Sequence, residues 1–259
     1  MYYPKQLPYL LDKEFKEKME YTEYRIKELD SYSMCIWCMK SKMQIEKTIY
    51  NYILPDACID IVIDFTNESI CFAGFSKETI PFALQEKIDY MGVRLKPSAF
   101  YILFEVEANK IMDQPADFFE IENSDELKNI FKAKDTKERM DIFKTYLGRK
   151  MKDKNNKQSI EFVDELYQKP KDQTVLDMAS RFGYEKRHLC RIFKKFYGVS
   201  PKVLLNIVRL HKCLTLLEKG KTLEDIMNDC GFYDQSHFIK EIKKYTGFSP
   251  LELFENGKV

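Results

Sequence analysis

The sequence predicts an α+β chain: a β-rich N-terminal module with a few helices, then an all-α C-terminal module of two helix-turn-helix units joined by one helix. Three observations predict it. Short alternating or apolar runs rich in β-branched and aromatic residues fill residues 1–147, helical periodicity takes over after 158, and residues 160–259 contain a diverged repeat. A length of 259 residues favours two compact units over one small one.

The N-terminal runs are 32–40 (YSMCIWCMK), 58–65 (CIDIVIDF), 69–75 (SICFAGF), 80–84 (IPFAL) and 88–95 (IDYMGVRL), broken by Pro, Asn, Gly and Lys-Glu turns. They read as strands of a mainly antiparallel sheet or partial barrel. Helices are expected at 98–109, after Pro97, and near 124–132 and 135–147. The segment 148–158 (GRKMKDKNNKQ) is polar, basic and without a hydrophobic period. The expected division is therefore a domain over 1–147, a linker over 148–158 and a domain over 159–259.

In the repeat, Gly183 and Gly231 lie 48 apart, whereas Gly198 and Gly247, and Pro201 and Pro250, lie 49 apart. Each unit opens on a capping box, Thr174 to Asp177 and Thr222 to Asp225. Apolar residues follow at i, i+3, i+4, i+7: Val175, Met178, Ala179 and Phe182, then Leu223, Ile226, Met227 and Cys230. After each glycine comes a second amphipathic helix, with Leu189, Ile192, Phe193 and Phe196 inward in the first unit and Phe238, Ile242 and Tyr245 in the second. Ser200-Pro201 and Ser249-Pro250 each place a capping hydroxyl before a proline suited to the first helical position. The joining helix is expected from Pro201 to Glu218, ended by Gly220.

Composition excludes several classes. Charged residues at 32% and hydrophobic ones at 44% describe a globular chain rather than a disordered one. No apolar run approaches the roughly 20 residues that cross a bilayer, and the start (MYYPKQLPYLLDKEF) lacks the order of a secretory signal, so a cytoplasmic protein without a membrane partner is expected. Seven cysteines, an odd and unpatterned set, are expected reduced. Net charge is only +1, yet 181–202 holds seven Lys/Arg against Glu185 alone.

That basic segment has a specific use. A helix-turn-helix enters the major groove with the N-terminal part of its second helix. The outward side chains there are Lys186, Arg187, Cys190, Arg191, Lys194 and Lys195 in the first unit, and Gln235, Ser236, Ile239, Lys240 and Lys243 in the second. Arginine reads guanine O6 and N7 bidentately, glutamine suits adenine, an aliphatic group meets the thymine methyl, and lysines mainly neutralise phosphates. Arg187 and Arg191 are the base-reading candidates. An isolated basic cluster is as often a solvated helix face; its place in the repeat favours DNA. Because 228–249 is net neutral, the first unit is expected to supply most of the electrostatic anchoring and the second to add selectivity.

These residues carry a resemblance. TVLDMASRFGYEKRHLCRIFKKFYGVSP and TLEDIMNDCGFYDQSHFIKEIKKYTGFSP resemble the paired helix-turn-helix signature of AraC/XylS-type transcriptional regulators, over about 171–255. The sequence departs from that pattern at Met227, Glu185 and Ile242. The resemblance places the family's base-contacting positions on Arg187, Cys190 and Arg191, and on Gln235, Ser236, Ile239 and Lys240. It implies two recognition helices in successive major grooves, double-stranded DNA as partner and a homodimer formed through the N-terminal module; contact with RNA polymerase is a further expectation, and an activator and a repressor are both left open. The stretches YILPDACIDIVIDF, MGVRLKPSAFYIL and DQPADFF are similar to the sensory domain of one AraC-type subgroup, with Ala57 where glycine is usual, and imply a cupin-like or partial-barrel effector module.

An enzyme is not expected. All three histidines, His188, His211 and His237, lie in the C-terminal region, leaving the N-terminal module without imidazole for base work or a His-ligated metal. Neither a metal nor a cofactor is expected. Cys35 and Cys38 have C-x-x-C spacing, but on a strand they point to opposite faces. Asp56, Asp60 and Asp64 are explained by strand and turn geometry. Trp37, Phe72, Phe75, Phe82 and Tyr90 are candidates to line an effector cavity, against the commoner fate of core burial. Arg94 is set either to meet an anionic effector or, as the safer assumption, to hold Glu105 or Glu107. The expectation is an effector-controlled, sequence-specific DNA-binding regulator. The alternatives are a constitutive dimeric regulator without ligand, and a redox or alkyl-transfer sensor using Cys35, Cys38, Cys58 or Cys71 fused to an AraC-like DNA module.

Overall fold

A computed structural model describes residues 1–4, 13–122, 124–154 and 157–252 of the chain. Most of the opening segment that argued against a secretory signal, residues 5–12, lies outside the described residues. After helix α1 (Lys13–Lys18) come strands β1 (Met19–Tyr24), β2 (Ser33–Ser41), β3 (Ile45–Ile53), β4 (Ile59–Asp64), β5 (Ser69–Ala73), β6 (Ile80–Glu86) and β7 (Asp89–Leu95). Helix α2 (Ala99–Phe104), the short strand β8 (Ala116–Asp117), α3 (Phe118–Ile121) and α4 (Thr136–Met151) follow. The helix expected over 98–109 stops early because Glu105 turns left-handed (φ 60°), and Ala108–Lys110 forms a separate 3-10 turn.

The strands make a six-stranded antiparallel sheet in the order β1-β2-β7-β4-β5-β8, with β3 and β6 paired as a second, two-stranded sheet. Period-2 alternation gives the large sheet two different faces. Ile36, Ile59, Ile61, Ile63, Phe72, Met91, Val93 and Leu95 pack on one side with Phe100, Phe118 and Phe143 from the helices. Phe72 belongs there, 4.8–5.1 Å from the rings of Phe100, Phe104 and Phe118. This corrects its candidacy as a cavity residue: its neighbours Cys71 and Ala73 face the cavity, so alternation sends Phe72 the other way. The opposite face carries Cys35, Trp37 and Met39 and is partly roofed by β3 and β6.

The C-terminal region comprises α5 (Gln158–Gln168), α6 (Val175–Phe182), α7 (Lys186–Tyr197), α8 (Pro201–Glu218), α9 (Leu223–Cys230) and α10 (Gln235–Thr246). Thr174 and Asp177 form the reciprocal capping box at α6, and the Thr222 hydroxyl accepts from the Asp225 amide at α9. Ser200 makes no capping hydrogen bond, contrary to expectation; Pro201 at the first turn supplies the preset φ without it. The stretch 148–158 begins inside α4 and ends on the first residue of α5, with Lys152–Lys154 between and Asn155 and Asn156 outside the described residues. Among the described residues no helix is long and apolar enough to cross a membrane.

The two regions share a core. One apolar cluster runs from Cys35, Trp37 and Met39 of the sheet and Phe75 just after β5 through Phe162 and Val163 to Leu189, Phe193, Leu204 and Val208. The second helix-turn-helix unit has its own, built from Leu210, Cys213, Leu214, Ile226, Phe238 and Ile242 with Leu54 of the N-terminal region. His211, fully buried in α8, donates from Nε2 to the Pro55 carbonyl at 2.8 Å and joins the two regions.

Candidate DNA interface and effector cavity

Helix α7 is anchored by Leu189, Phe193 and Tyr197, which are buried. That periodicity leaves Lys186, Arg187, Arg191 and Lys194 exposed, with Cys190 and Lys195 half-buried. Glu185, at the N-cap, makes no capping bond. Helix α10 buries Phe238, Ile242 and Tyr245, is capped by Asp234 accepting from the His237 amide at 2.7 Å, and exposes Gln235, Ser236, Ile239, Lys240 and Lys243. His188 and His237 take corresponding places in the two turns. The first packs on Tyr184 (ring centroids 4.5 Å) and puts Nδ1 2.9 Å from an Arg191 guanidinium nitrogen. The second packs on Phe232 at 5.5 Å.

The α7 face is not open along its whole length. Glu107, at the start of the 3-10 turn, and Asn109, within it, line a groove with Arg187, Cys190, Arg191, Lys194 and Lys195. Lys195 lies over the Tyr101 ring (4.8 Å), and hydrogen bonding to Tyr101 holds its pKa above the ordinary lysine value. Tyr101 also packs on Phe196 at 4.5 Å. Gly198 has φ 76°, a backbone conformation that favours glycine, and lies against the flexible Met112 side chain, whose sulfur would be 2.7 Å from an added Cβ.

Between the two sheets lies a cavity of about 360 Å³. Trp37, Phe75, Phe82, Tyr90 and Arg94 line it, together with residues the sequence reading passed over: Tyr21, Asn51, Asp56, Asp60 and Cys71. Trp37 lies across Gly92, its partner on β7, where a Cβ would come within 2.3 Å of the indole. Its Nε1 donates to Asp60 at 2.8 Å. Arg94, buried, holds Glu23 at 3.3 Å, Asp60 at 3.5 Å and Asp56 at 3.8 Å. Arg94 therefore pairs with neither Glu105, which meets Lys154 at 2.8 Å, nor Glu107, which lies in the α7 groove. The strand register explains it: Cys35 on β2 and Asp60 on β4 flank Arg94 on β7 from either side, whereas 105 and 107 follow α2.

Electrostatics at the cavity floor follow from burial. Burial pushes the Asp60 carboxyl up to about 6, with Asp56 adding to the rise and Arg94 and the Trp37 hydrogen bond opposing it. Burial works against the Arg94 charge, but Asp60, Tyr21 and Asp56 outweigh it and hold its pKa well above normal. Burial also pushes the Cys35 thiol up to about 12 and Cys38 and Cys71 to about 11, and raises Cys58 well above its ordinary value. These shifts oppose thiolate formation, the reverse of what activates a nucleophilic or redox cysteine. Cys35 and Cys38 fall in the clusters on opposite faces of the sheet.

Comparison with known proteins divides the chain similarly. A family described as a helix-turn-helix domain matches residues 178–256, and one described as a domain of unknown function matches 26–117. An uncharacterized HTH-type transcriptional regulator, YbfI of Bacillus subtilis (strain 168), is 35% identical over 77 residues, 30% of this chain and 27% of YbfI. The lactose operon transcription activator of Staphylococcus xylosus is 34% identical over 95 residues, 36% of this chain and 33% of that protein. The matched part thus spans a third or less of these relatives. Among solved structures, ToxT from Vibrio cholerae O395 aligns over 93% of this chain and 99% of its own at 15% identity and a TM-score of 0.41. With paired recognition helices at either end of α8 and relatives named as transcription regulators matching the same residues, the C-terminal region is a helix-turn-helix domain of the AraC/XylS type.

Proposed function

We propose that the chain is a sequence-specific DNA-binding transcription regulator, controlled by a small molecule in the cavity between the sheets and without catalytic activity. One observation carries it: α7 and α10 present corresponding exposed sets, Arg187 and Arg191 on one and Gln235, Ser236, Ile239 and Lys240 on the other. The 18-residue α8 between the units is about 27 Å long at 1.5 Å per residue, a length that supports binding in successive major grooves. Residues 1–147 form the effector and dimerisation module and 148–158 its link to the DNA module. Contact with RNA polymerase is part of this proposal.

Coupling runs through 107–115. Asp113, Gln114 and Pro115 line the cavity, Met112 abuts Gly198, and Glu107 and Asn109 face α7. A ligand that moves this segment changes the presentation of α7, by no more than its differential affinity for the two states. The test is recovery of genomic fragments by purified protein, then gel shift with wild type and Arg187→Ala/Arg191→Ala. A defined site lost in the double variant is the expected result; binding indifferent to sequence and to both arginines would overturn the proposal. A mass that stays monomeric with and without DNA would remove the dimer.

A further inference from the structure

Granting the effector cavity proposed above, its chemistry selects a ligand class. We propose that the cavity between the two sheets binds an organic cation, an amine or amidine on an aromatic or aliphatic body, and rejects carboxylates and phosphates. Its volume of about 360 Å³ falls in the range of small-molecule sites, roughly 300–1,000 Å³. Four carboxylates line it, Asp56, Asp60, Asp64 and Asp113, against Arg94, the one basic residue lining it among those described.

That arginine already stands among three carboxylates, although its buried Nε makes no hydrogen bond. Arg94 is already engaged by Glu23, Asp56 and Asp60 within 3.3–3.8 Å. An entering carboxylate must displace one of these or sit unpaired among them, and a buried unpaired charge is costly. A cation gains from the same surplus. Two features add to it. Trp37, Tyr21, Tyr90 and Phe75 supply ring faces around the acidic floor, the composition that attracts ammonium groups through the ring quadrupole. Asn51, from the facing sheet, has a buried Oδ1 without a hydrogen-bond partner, an acceptor suited to a ligand N–H. Asp64 accepts hydrogen bonds from the amides of Thr66 and Asn67, and Asp113 from the Ser76 hydroxyl.

The chain carries its own reporter, since Trp37 is the single tryptophan. Full-length protein is titrated at neutral pH with a matched series, phenylbutylamine, phenylbutanol and phenylbutyrate, following Trp37 emission and thermal stability. The amine is expected to bind at least about tenfold tighter than the alcohol, and the alcohol tighter than the acid. Asp60→Asn, which keeps an acceptor for the indole, is expected to weaken the amine about tenfold and leave the alcohol within about twofold. Should that variant fail to fold, Asp64→Asn at the other end of β4 makes the same comparison. Equal or tighter binding of the alcohol or the acid by the wild type overturns the charge assignment while leaving the cavity as an effector site. No response to any of the three at millimolar concentration overturns the effector reading itself, and this inference with it.

Discussion

The two helix-turn-helix units share one plan yet sit differently in the molecule. The first is strongly basic and shares its core with the sheet; the second is charge-balanced over 228–249 and closes around its own core, with Leu54 as its N-terminal contribution. The α7 face also meets Glu107, Asn109 and Tyr101, whereas α10 keeps its DNA-facing set exposed. On the proposed function, the segment 107–115 links the cavity most directly to the first unit, whereas the second meets the N-terminal region through Tyr52 against Phe248 and the Thr79 hydroxyl to the Tyr245 carbonyl. On that proposal the more basic unit is the more closely regulated one.

The sharpest way to break that comparison is to remove its reading heads. Arg187→Ala/Arg191→Ala should lower specific affinity by about 2–6 kcal/mol if each arginine makes one good bidentate contact, roughly 30-fold to 10⁴-fold, measured by gel shift on the recovered site. A loss below tenfold would mean that these side chains touch only phosphate.

Cores come next. Phe193 of the first unit and Phe238 of the second are both buried, so each change to alanine should cost about 3–5 kcal/mol. The distribution is what separates them. Phe193→Ala should loosen the sheet's inner face along with the first unit, whereas Phe238→Ala should open α9 and α10 alone. Hydrogen exchange resolved by segment distinguishes the two; uniform loss of protection in both variants would show that the cores act as one.

Much of this arrangement was legible in the sequence, for local reasons. The glycine and proline repeat, the Thr174 and Thr222 caps and the i, i+3, i+4, i+7 rows are short-range signals. The cavity floor is not local. Glu23 and Arg94 lie 71 residues apart in sequence, and no periodicity announces that β1 and β7 bring them together across β2. A usable signal was nonetheless present in IDIVID, 59–64: isoleucines on one face and Asp60, Val62 and Asp64 on the other mark a strand with one polar buried side. The same parity, applied to Cys71, Phe72 and Ala73, separates Phe72 from the cavity. Strands β1 and β3 escaped because charged residues interrupt their apolar rows; helix α5 carries an uninterrupted row, Ile160, Val163, Leu166 and Tyr167, that was present to be read.

Salt dependence sharpens the electrostatic half of the comparison. Each phosphate contact contributes about 0.9 to the slope of log K against log salt. Arg191→Ala should therefore lower both affinity and slope more than Lys240→Ala does, by about one unit of slope if Arg191 also reaches a phosphate. If Lys240→Ala has the larger effect on both, the division of labour between the units is reversed.

The smallest effect tests whether the first unit feels the cavity at all. Asp60 faces Arg94, Asp56, Trp37, Cys35, Cys58 and Cys71, and its carboxyl is pushed up to about 6 in the folded chain against about 3.9 when unfolded. A raised acid pKa means that the native state takes up a proton before the unfolded state does. Wild type should thus gain stability relative to Asp60→Asn as pH falls from about 7 to about 5, by about 1 kcal/mol. Because α7 shares its core with the sheet, that gain should appear in the exchange protection of α7 amides and be absent from α10. Equal pH dependence in both helices would mean that the second unit is coupled to the cavity as tightly as the first, and that its separate core does not isolate it.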